Sequence, residues 1–361
     1  MQRCLGIALA LGILTAGCGG GGASSPQLPP GGIVGGPPTP SPKPSGHPTA
    51  TPKPTPTPKP TLTPVPTPSP TPTPHVMQHA YVMSAIAAAH SSILIYDLPL
   101  SAGSKPVGAI PDNFQLDQTV ESGCADNQSR LFVTTSEIFG PYMTYAFTQP
   151  IRPSSTPAFF LSPTGVICTF DPAGNLYEPI QTSASTEPLE VFPSPVGPTS
   201  APIIVAAVAP YGVAGLTTDA IGDVFAYNVE SKTFADIVEL SPRGSGNQKL
   251  AEFGNGPNFR EQGLAIGPDG NLYAGDATGH GIDVYFPSSF HNGGVKDHTI
   301  SLGSVFLAGL AFDSSANMIA VVGSPGPGAL YVLPPPYNAP SFIVPVNASI
   351  YGFPTGIAIT Q

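Results

Sequence analysis

The chain has 361 residues, of which 48 are proline and 41 are glycine, and only 9% are charged. All 22 acidic residues follow position 75, together with eight of the 12 basic residues, so this part carries a net charge of −14. Such an acidic chain excludes a basic groove for the phosphate backbone of nucleic acids, and we expect no nucleic-acid partner.

The N-terminus has the composition of an export signal. Residues 1–17 contain Arg3, an apolar run from Leu5 to Leu14 and then small residues. About ten apolar residues are too few to span a bilayer, so we predict a secretory signal peptide rather than a transmembrane helix.

The end of this segment, LTAGC, resembles a bacterial lipobox, with Thr15 where leucine is usual. The resemblance implies that Cys18 carries a lipid and anchors the mature protein to a membrane. Cleavage of an ordinary signal peptide near this point is the alternative. Gly19 follows the cysteine where some lipoproteins have aspartate, which by the same resemblance favours an outer membrane in the cell envelope, if there is one.

Residues 18–75 have the composition of a linker. They are rich in glycine and serine at first, and from Pro37 to Pro74 threonine or lysine alternates with proline. A proline at every second place favours an open polyproline II rod without a packed core. At roughly 3.1 Å per residue the alternating part reaches on the order of 100 Å. We predict a disordered, Pro-rich spacer between the anchor and a folded domain at 76–361.

Two patterns recur in the folded part. One is a glycine or serine, an apolar strand, a tight turn and a second apolar strand; its copies begin at Ser122, Gly165, Gly215, Gly263, Gly309 and Gly356. The other is an apolar strand that ends in proline, at Pro99, Pro150, Pro193, Pro242, Pro287 and Pro334. Four short strands in each unit of 43–51 residues, with no helical periodicity, are typical of a propeller blade.

The ends of the chain predict how the ring closes. The first repeat lacks its inner strand, whereas residues 356–361 form an inner strand with nothing after it. We therefore predict an all-β, six-bladed β-propeller, monomeric, in which the C-terminal strand pairs with the N-terminal strands and removes the open edges. Seven blades or a two-sheet sandwich are the alternatives.

The run at 263–273, GLAIGPDGNLY, followed by Asp276 and by Val284-Tyr285, resembles an NHL repeat, and it is also similar to gluconolactonase-like propellers. The gluconolactonase resemblance implies a divalent metal in the central channel, held by residues that precede the inner-strand glycines. The matching positions are Ser122, Thr164, Ala214, Gln262, Ala308 and Thr355. None is a carboxylate, so we predict no metal, no other cofactor and no catalytic residues. This favours a binding or scaffolding module; a metal-dependent, lactonase-like hydrolase with other ligands is the alternative.

A ligand site is expected on one face of the propeller. The loops that enter the inner strands and the loops between the second and third strands share a face, and they contain aromatic and amide side chains. The expected rim comprises Tyr211, Asn258, Phe259, Arg260, Glu261, Gln262 and Phe353, with Glu137, Tyr142 and Asn228 beside them. Such a rim suits a glycan or peptide; the alternative is that these are ordinary loop residues.

Cys124 and Cys168 lie near the starts of inner strands in neighbouring repeats. In an exported protein they are candidates for a disulfide. Buried, unpaired thiols are the alternative, because inner strands of neighbouring blades usually lie too far apart for the required Cα separation.

Overall fold

The computed structural model describes residues 77–86, 90–111, 118–137, 142–180, 187–208, 213–231, 234–240, 248–254, 263–276, 279, 281–290, 294–323 and 328–360. They belong to one compact unit, Thr71–Gln361. The predicted signal peptide, the lipid attachment at Cys18 and the Pro-rich linker lie outside these residues. Within the described part, no helix is long and apolar enough to cross a membrane.

Six four-stranded antiparallel sheets form the blades of a propeller. Blade 1 consists of β24 (Phe353–Thr360), β1 (His79–Ile86), β2 (His90–Asp97) and β3 (Gly108–Pro111), in that order from the axis outwards. Blade 2 consists of β4 (Gln118–Ala125), β5 (Leu131–Glu137), β6 (Met143–Phe147) and β7 (Phe159–Leu161). Blade 3 consists of β8 (Thr169–Phe170), β9 (Leu176–Pro179), β10 (Glu187–Phe192) and β11 (Ile203–Val208).

The other three blades repeat this order. Blade 4 consists of β12 (Val213–Thr218), β13 (Val224–Ser231), β14 (Phe234–Leu240) and β15 (Gln248–Gly254). Blade 5 consists of β16 (Leu264–Ile266), β17 (Leu272–Gly275), β18 (Gly281–Tyr285) and β19 (His298–Ser301). Blade 6 consists of β20 (Leu307–Phe312), β21 (Met318–Val322), β22 (Ala329–Leu333) and β23 (Phe342–Pro345). Two single-turn helices, α1 (Pro287–Phe290) and α2 (Ala348–Tyr351), complete the described secondary structure.

The predicted closure is confirmed. Strand β24 pairs with β1 in antiparallel register from His79 opposite Thr360 to Ala85 opposite Phe353. The closing strand starts at Phe353, three residues before the glycine that marked it in the sequence. The first and last segments of the domain therefore share one sheet, and six blades, rather than seven or a sandwich, form the ring.

Many strands carry apolar residues on both faces because both faces of each blade are covered. In β1, Tyr81 and Met83 pack with residues of blade 2, whereas the alternate residues Ala80 and Val82 pack with residues of blade 6. Successive side chains of a strand point to opposite faces, so a blade packed between two neighbours needs apolar residues at both odd and even positions of its strands. The core is accordingly a ring of clusters, each between adjacent blades.

Glycines let the inner strands approach one another around the axis. A Cβ atom on Gly309 would lie 3.3 Å from the Cα of Gly356, and a Cβ on Gly356 would lie 3.1 Å from the Cα of Ser122. These distances join backbone atoms of neighbouring blades, so a side chain at either glycine would push the inner strands apart.

The turn between the first two strands is built around an aspartate in four blades. These residues are Asp126, Asp171, Asp219 and Asp313, and each Oδ1 accepts a hydrogen bond from the backbone N–H four residues later. The aspartate side chain thus accepts hydrogen bonds from backbone N–H groups of the turn that have no partner in the strand ladder.

Replacement of Asp171 by alanine should lower the free energy of unfolding by about 2 kcal/mol, because this buried carboxylate accepts hydrogen bonds from the backbone and side chain of Asn175. Urea unfolding followed by circular dichroism measures the change. Asp97→Ala is the matched control: the Asp97 side chain is 45% exposed and pairs with His79, so a loss below about 1 kcal/mol is expected. Equal losses in the two variants would contradict the structural role of the turn.

Candidate functional site: the central channel

A channel of about 610 Å³ runs through the middle of the ring. All six inner strands contribute to its wall, mostly with glycine, alanine and aliphatic residues. Tyr142, from the loop before β6, and Pro179, at the end of β9, also line it. The volume lies within the range of small-molecule sites in proteins.

Bulges interrupt four of the inner strands at residues that line the channel. In four blades one inner-strand residue has no partner in the neighbouring strand, and all four line the channel: Glu121, Ala214, Ala308 and Thr355. A bulge leaves an extra residue out of the ladder and redirects its side chain. Three of these residues were expected from the sequence to precede the guiding glycine.

Two of the expected positions do not coincide with the bulge pattern, although Ser122 itself lines the channel. In blade 2 the bulged residue is Glu121, since Val120 pairs with Thr135 and Ser122 pairs with Thr134. In blade 3 Val166 lines the channel, whereas Thr164 is 1% exposed and does not line it. In blades 1, 4 and 6 a glycine directly follows the bulged residue. Gly123 and Gly165, from which the positions in blades 2 and 3 were predicted, do not occupy that position. The spacing to the turn aspartate is the better signal, because Glu121, Ala214 and Ala308 each precede it by five residues.

Glu121 is the one charged side chain among the described residues that line the channel. Its carboxylate accepts a hydrogen bond from the hydroxyl of Ser136. Nearby, the Thr355 hydroxyl, on the inner strand of the adjacent blade 1, donates to the carbonyl of Val120 at 2.9 Å. The channel therefore offers an anionic acceptor next to hydroxyl groups.

These groups do not fit the divalent metal that the gluconolactonase resemblance implies. Hard cations take six or more oxygen ligands, usually including several carboxylates, and the described wall offers Glu121 alone. No group of three or more histidine, cysteine, aspartate or glutamate side chains in the described part of the chain is arranged to hold a metal ion.

The expected ligand rim is described only in part. Tyr142 is half-buried and reaches the channel. Phe353 is 39% exposed at the start of β24, and Asn228 is buried, with its Oδ1 unpaired among the described residues. Glu137 ends β5. The remaining rim residues, Tyr211 and Asn258 to Gln262, lie outside the described residues.

A disulfide joins Cys124 of β4 to Cys168, which directly precedes β8. Their Cα atoms are 5.7 Å apart, and both residues line the channel. The distance argument for separate thiols therefore does not apply to this pair: inner strands converge towards the axis, and here two of them come within bonding distance. The disulfide lies in an apolar cluster between blades 2 and 3 with Phe132, Leu161 and Phe192.

Two glutamates form a pair near the channel that the sequence did not indicate. Glu178 of β9 lies directly opposite Glu190 of β10. Glu178 immediately precedes Pro179, which lines the channel. Glu178 is fully buried, and its Oε1 accepts a hydrogen bond from Thr144 of blade 2 at 2.8 Å. Burial raises the pKa of Glu178 to about 8, with a further contribution from the charge of Glu190. Burial also raises the pKa of Glu190.

Comparison of the sequence with family models and with curated proteins gives no match. Solved structures do match. The periplasmic gluconolactonase of Pseudomonas aeruginosa superposes with a TM-score of 0.52 at 11% identity, covering 79% of this chain and 99% of that one. A protein of unknown function from Bacteroides caccae gives 0.51 at 11% identity over 79% and 100% of the two chains. A putative 6-phosphogluconolactonase from Bacteroides fragilis gives 0.51 at 8% identity over 81% and 100%. At these identities the likeness concerns the fold alone, and it agrees with the β-propeller seen in the sheet order of this chain.

Proposed function

We propose that this protein is an exported, lipid-anchored binding module whose central channel accepts a polar ligand, a glycan or a peptide segment, at the end where Glu121 and Tyr142 lie. The observation that carries the proposal is the channel itself. It combines about 610 Å³ of open space and a wall built largely from glycine, alanine and aliphatic residues with one carboxylate, Glu121, that accepts a hydrogen bond from the Ser136 hydroxyl. Pockets of this kind bind ligands partly through apolar contacts, and a few polar groups fix the orientation of the ligand.

The Cys124–Cys168 disulfide supports the export part of the proposal. Stable disulfides are formed outside the cytoplasm in most organisms, and the N-terminal segment has the composition of a signal that would deliver the chain there. The Pro-rich segment would then hold the propeller at a distance from the membrane. Mass spectrometry of the mature N-terminus tests this: a diacylglyceryl-modified Cys18 is expected, and an unmodified residue at another position would refute lipidation.

A lactone hydrolase is the second candidate. Glu121 favours it. The gluconolactonase resemblance implies metal ligands at the starts of the inner strands, and the bulge of blade 2 places a carboxylate there. Against it, the bulge residues of blades 4 and 6, Ala214 and Ala308, provide no ligand atoms in their side chains. Measurement of lactone turnover before and after chelation, together with metal analysis, separates the candidates: turnover that disappears on chelation would replace the binding proposal.

The Glu121→Gln variant tests the channel directly. Binding of the full chain to glycan and peptide arrays identifies a ligand, and the variant should then bind it about ten-fold or more weakly, because a charge-assisted hydrogen bond is worth about 1.5–3 kcal/mol. Asp97→Asn, an amide replacement on the outside of blade 1, is the control and should bind normally. A ligand that both variants bind equally well would place its site elsewhere, and silence on every array would leave a purely structural surface protein as the better account.

A further inference from the structure

A second concave surface lies between blades 5 and 6, on the opposite face from Glu121. It is a groove of about 570 Å³, bordered by the turn between β16 and β17 and by the loop between β22 and β23. Its residues include Asp269, Asn271, Phe286, His298, Tyr337 and Asn338.

The turn of blade 5 departs from the pattern of the other blades in a way that shapes this groove. Gly267 occupies the place of the turn aspartate, and the carboxylate is supplied two residues later by Asp269. A Cβ atom on Gly267 would lie 2.5 Å from Oδ1 of Asp269 and 2.7 Å from Cε2 of Tyr273. The glycine therefore makes room for a carboxylate that is exposed at the edge of the groove, whereas Asp313 in the corresponding turn of blade 6 is buried.

Tyr273 and Tyr337 form an aromatic wall of the groove, and Phe312, which itself lines the channel, packs against both. Tyr273, Phe312 and Tyr337 have ring centroids 5.4–5.6 Å apart, in tilted or edge-to-face contact. Tyr337 has a φ of 62°, in the left-handed region, and its hydroxyl donates to the carbonyl of Ala316 at 2.9 Å. A tyrosine in this conformation is held against a local energetic cost. Phe286, 40% exposed, adds an open aromatic surface beside this wall.

The polar groups are of mixed type. The Asp269 carboxylate is an acceptor already oriented by Tyr273, whose hydroxyl donates to Oδ2 at 2.7 Å. His298 uses Nδ1 towards Asp297 at 2.7 Å, which leaves its Nε2 for another partner. The Asn338 amide is exposed and makes no hydrogen bond to the described residues, so it can both donate and accept. A cation requires acceptors alone and an anion requires donors alone, whereas a hydroxyl group uses both.

We propose that this groove binds a neutral saccharide, with the pyranose C–H face against Phe286 and the hydroxyls between Asp269, His298 and Asn338. Aromatic surface next to a carboxylate and an amide matches the two sides of a sugar ring, one apolar and one hydroxylated. The volume of about 570 Å³ accommodates one or two sugar units. This site is independent of the ligand proposed for the channel.

The test uses the full chain and calorimetric titration with the methyl glycosides of glucose, galactose, mannose and N-acetylglucosamine and with their β-linked tetrasaccharides. We expect at least one series to bind, the tetrasaccharide more tightly than the monosaccharide, and with little dependence on salt because no net charge is neutralised. Phe286→Ala should weaken binding about ten-fold or more, and Asp269→Asn should weaken it several-fold. Phe160→Ala removes a similarly exposed phenylalanine from blade 2 and should leave binding unchanged.

Three outcomes would overturn the proposal. One is the absence of binding to every saccharide. Another is equal binding by the Phe286→Ala and Phe160→Ala variants, each checked for an unchanged circular dichroism spectrum. The third is displacement of the sugar by tetramethylammonium, which would identify a cation site. A sugar whose binding is lost in Glu121→Gln but kept in Phe286→Ala would support the channel as the binding site and refute the groove, so the two proposals fail separately.

Discussion

The Glu178→Gln variant should be more stable than the natural protein at pH 8, by several kcal/mol, and its stability should depend less on pH. Glu178 is fully buried with a pKa near 8, whereas a glutamate in the unfolded chain has its usual pKa of about 4.5. Glutamine is neutral at every pH and has nearly the same shape as protonated glutamic acid. It can keep the hydrogen bond from Thr144 without a charge in the core.

The direction of the pH effect follows from proton binding. Below about pH 4.5 the carboxyl is protonated in both the folded and the unfolded chain, so its contribution to stability is fully present. Between about pH 4.5 and pH 8 the unfolded chain loses the proton and the folded protein retains it, so stability falls as pH rises. Above about pH 8 the folded protein ionises too and the decline levels off. At about 1.4 kcal/mol per pKa unit, the whole effect approaches 5 kcal/mol.

Urea unfolding at pH 5, 6, 7, 8 and 9 measures this effect, with the signal taken from circular dichroism because the chain has no tryptophan. Glu190→Gln is an informative second variant. It removes the neighbouring charge that helps to raise the pKa of Glu178, so the decline in stability should end at a lower pH than in the natural protein. A natural protein whose urea midpoint is constant from pH 5 to pH 9 would contradict the buried acid.

The blade count and the closure of the ring could be predicted because they depend on local signals. Each blade contributes its own strands and turns at a regular spacing, so six repeats indicate six sheets without any long-range contact being known. The strand at 356–361 has no partner of its own in sequence, and antiparallel pairing with β1 is the arrangement that protects its edge. The structure adds only three residues to its start.

The site was harder to predict because a bulge shifts the register by one residue without leaving a clear mark in composition. Ser122 and Gly123 of blade 2 resemble the alanine-glycine pairs of other blades, yet the bulge falls at Glu121. The sequence pattern therefore did not predict Glu121, the one carboxylate of the described channel wall. The buried Glu178–Glu190 pair could not be predicted from the sequence for a different reason. Its burial depends on blade 2, which lies over it through Thr144, a contact between residues 34 positions apart.

The buried glutamates and the disulfide connect the same two blades. Thr144 of blade 2 holds Glu178 of blade 3, and Cys124 of blade 2 is bonded to Cys168 of blade 3. Neighbouring blades have separate sheets, so in this region a covalent link and a buried polar contact supplement the apolar packing between them. Since both cysteines line the channel, the link also fixes the separation of two inner strands at the proposed binding site.

Loss of this link should destabilise the domain strongly. The bond closes a loop between residues 44 positions apart, and a loop of this length restricts the unfolded chain by about 3–4 kcal/mol in the chain-entropy description. The double variant Cys124→Ser, Cys168→Ser should therefore unfold at a clearly lower urea concentration than the oxidised natural protein. Addition of a reductant should lower the midpoint of the natural protein to nearly the same value and leave the double variant unaffected.

The single variant Cys124→Ser serves as the control for the change of side chain. It breaks the link but retains Cys168 in the apolar cluster, so its midpoint should lie close to that of the double variant. Alkylation of the unfolded, unreduced natural protein followed by mass measurement provides an independent check, since a bonded pair takes up no alkylating agent. Two alkylated thiols at Cys124 and Cys168, with unfolding midpoints that do not respond to reductant, would show that the inner strands of blades 2 and 3 are held together by packing alone.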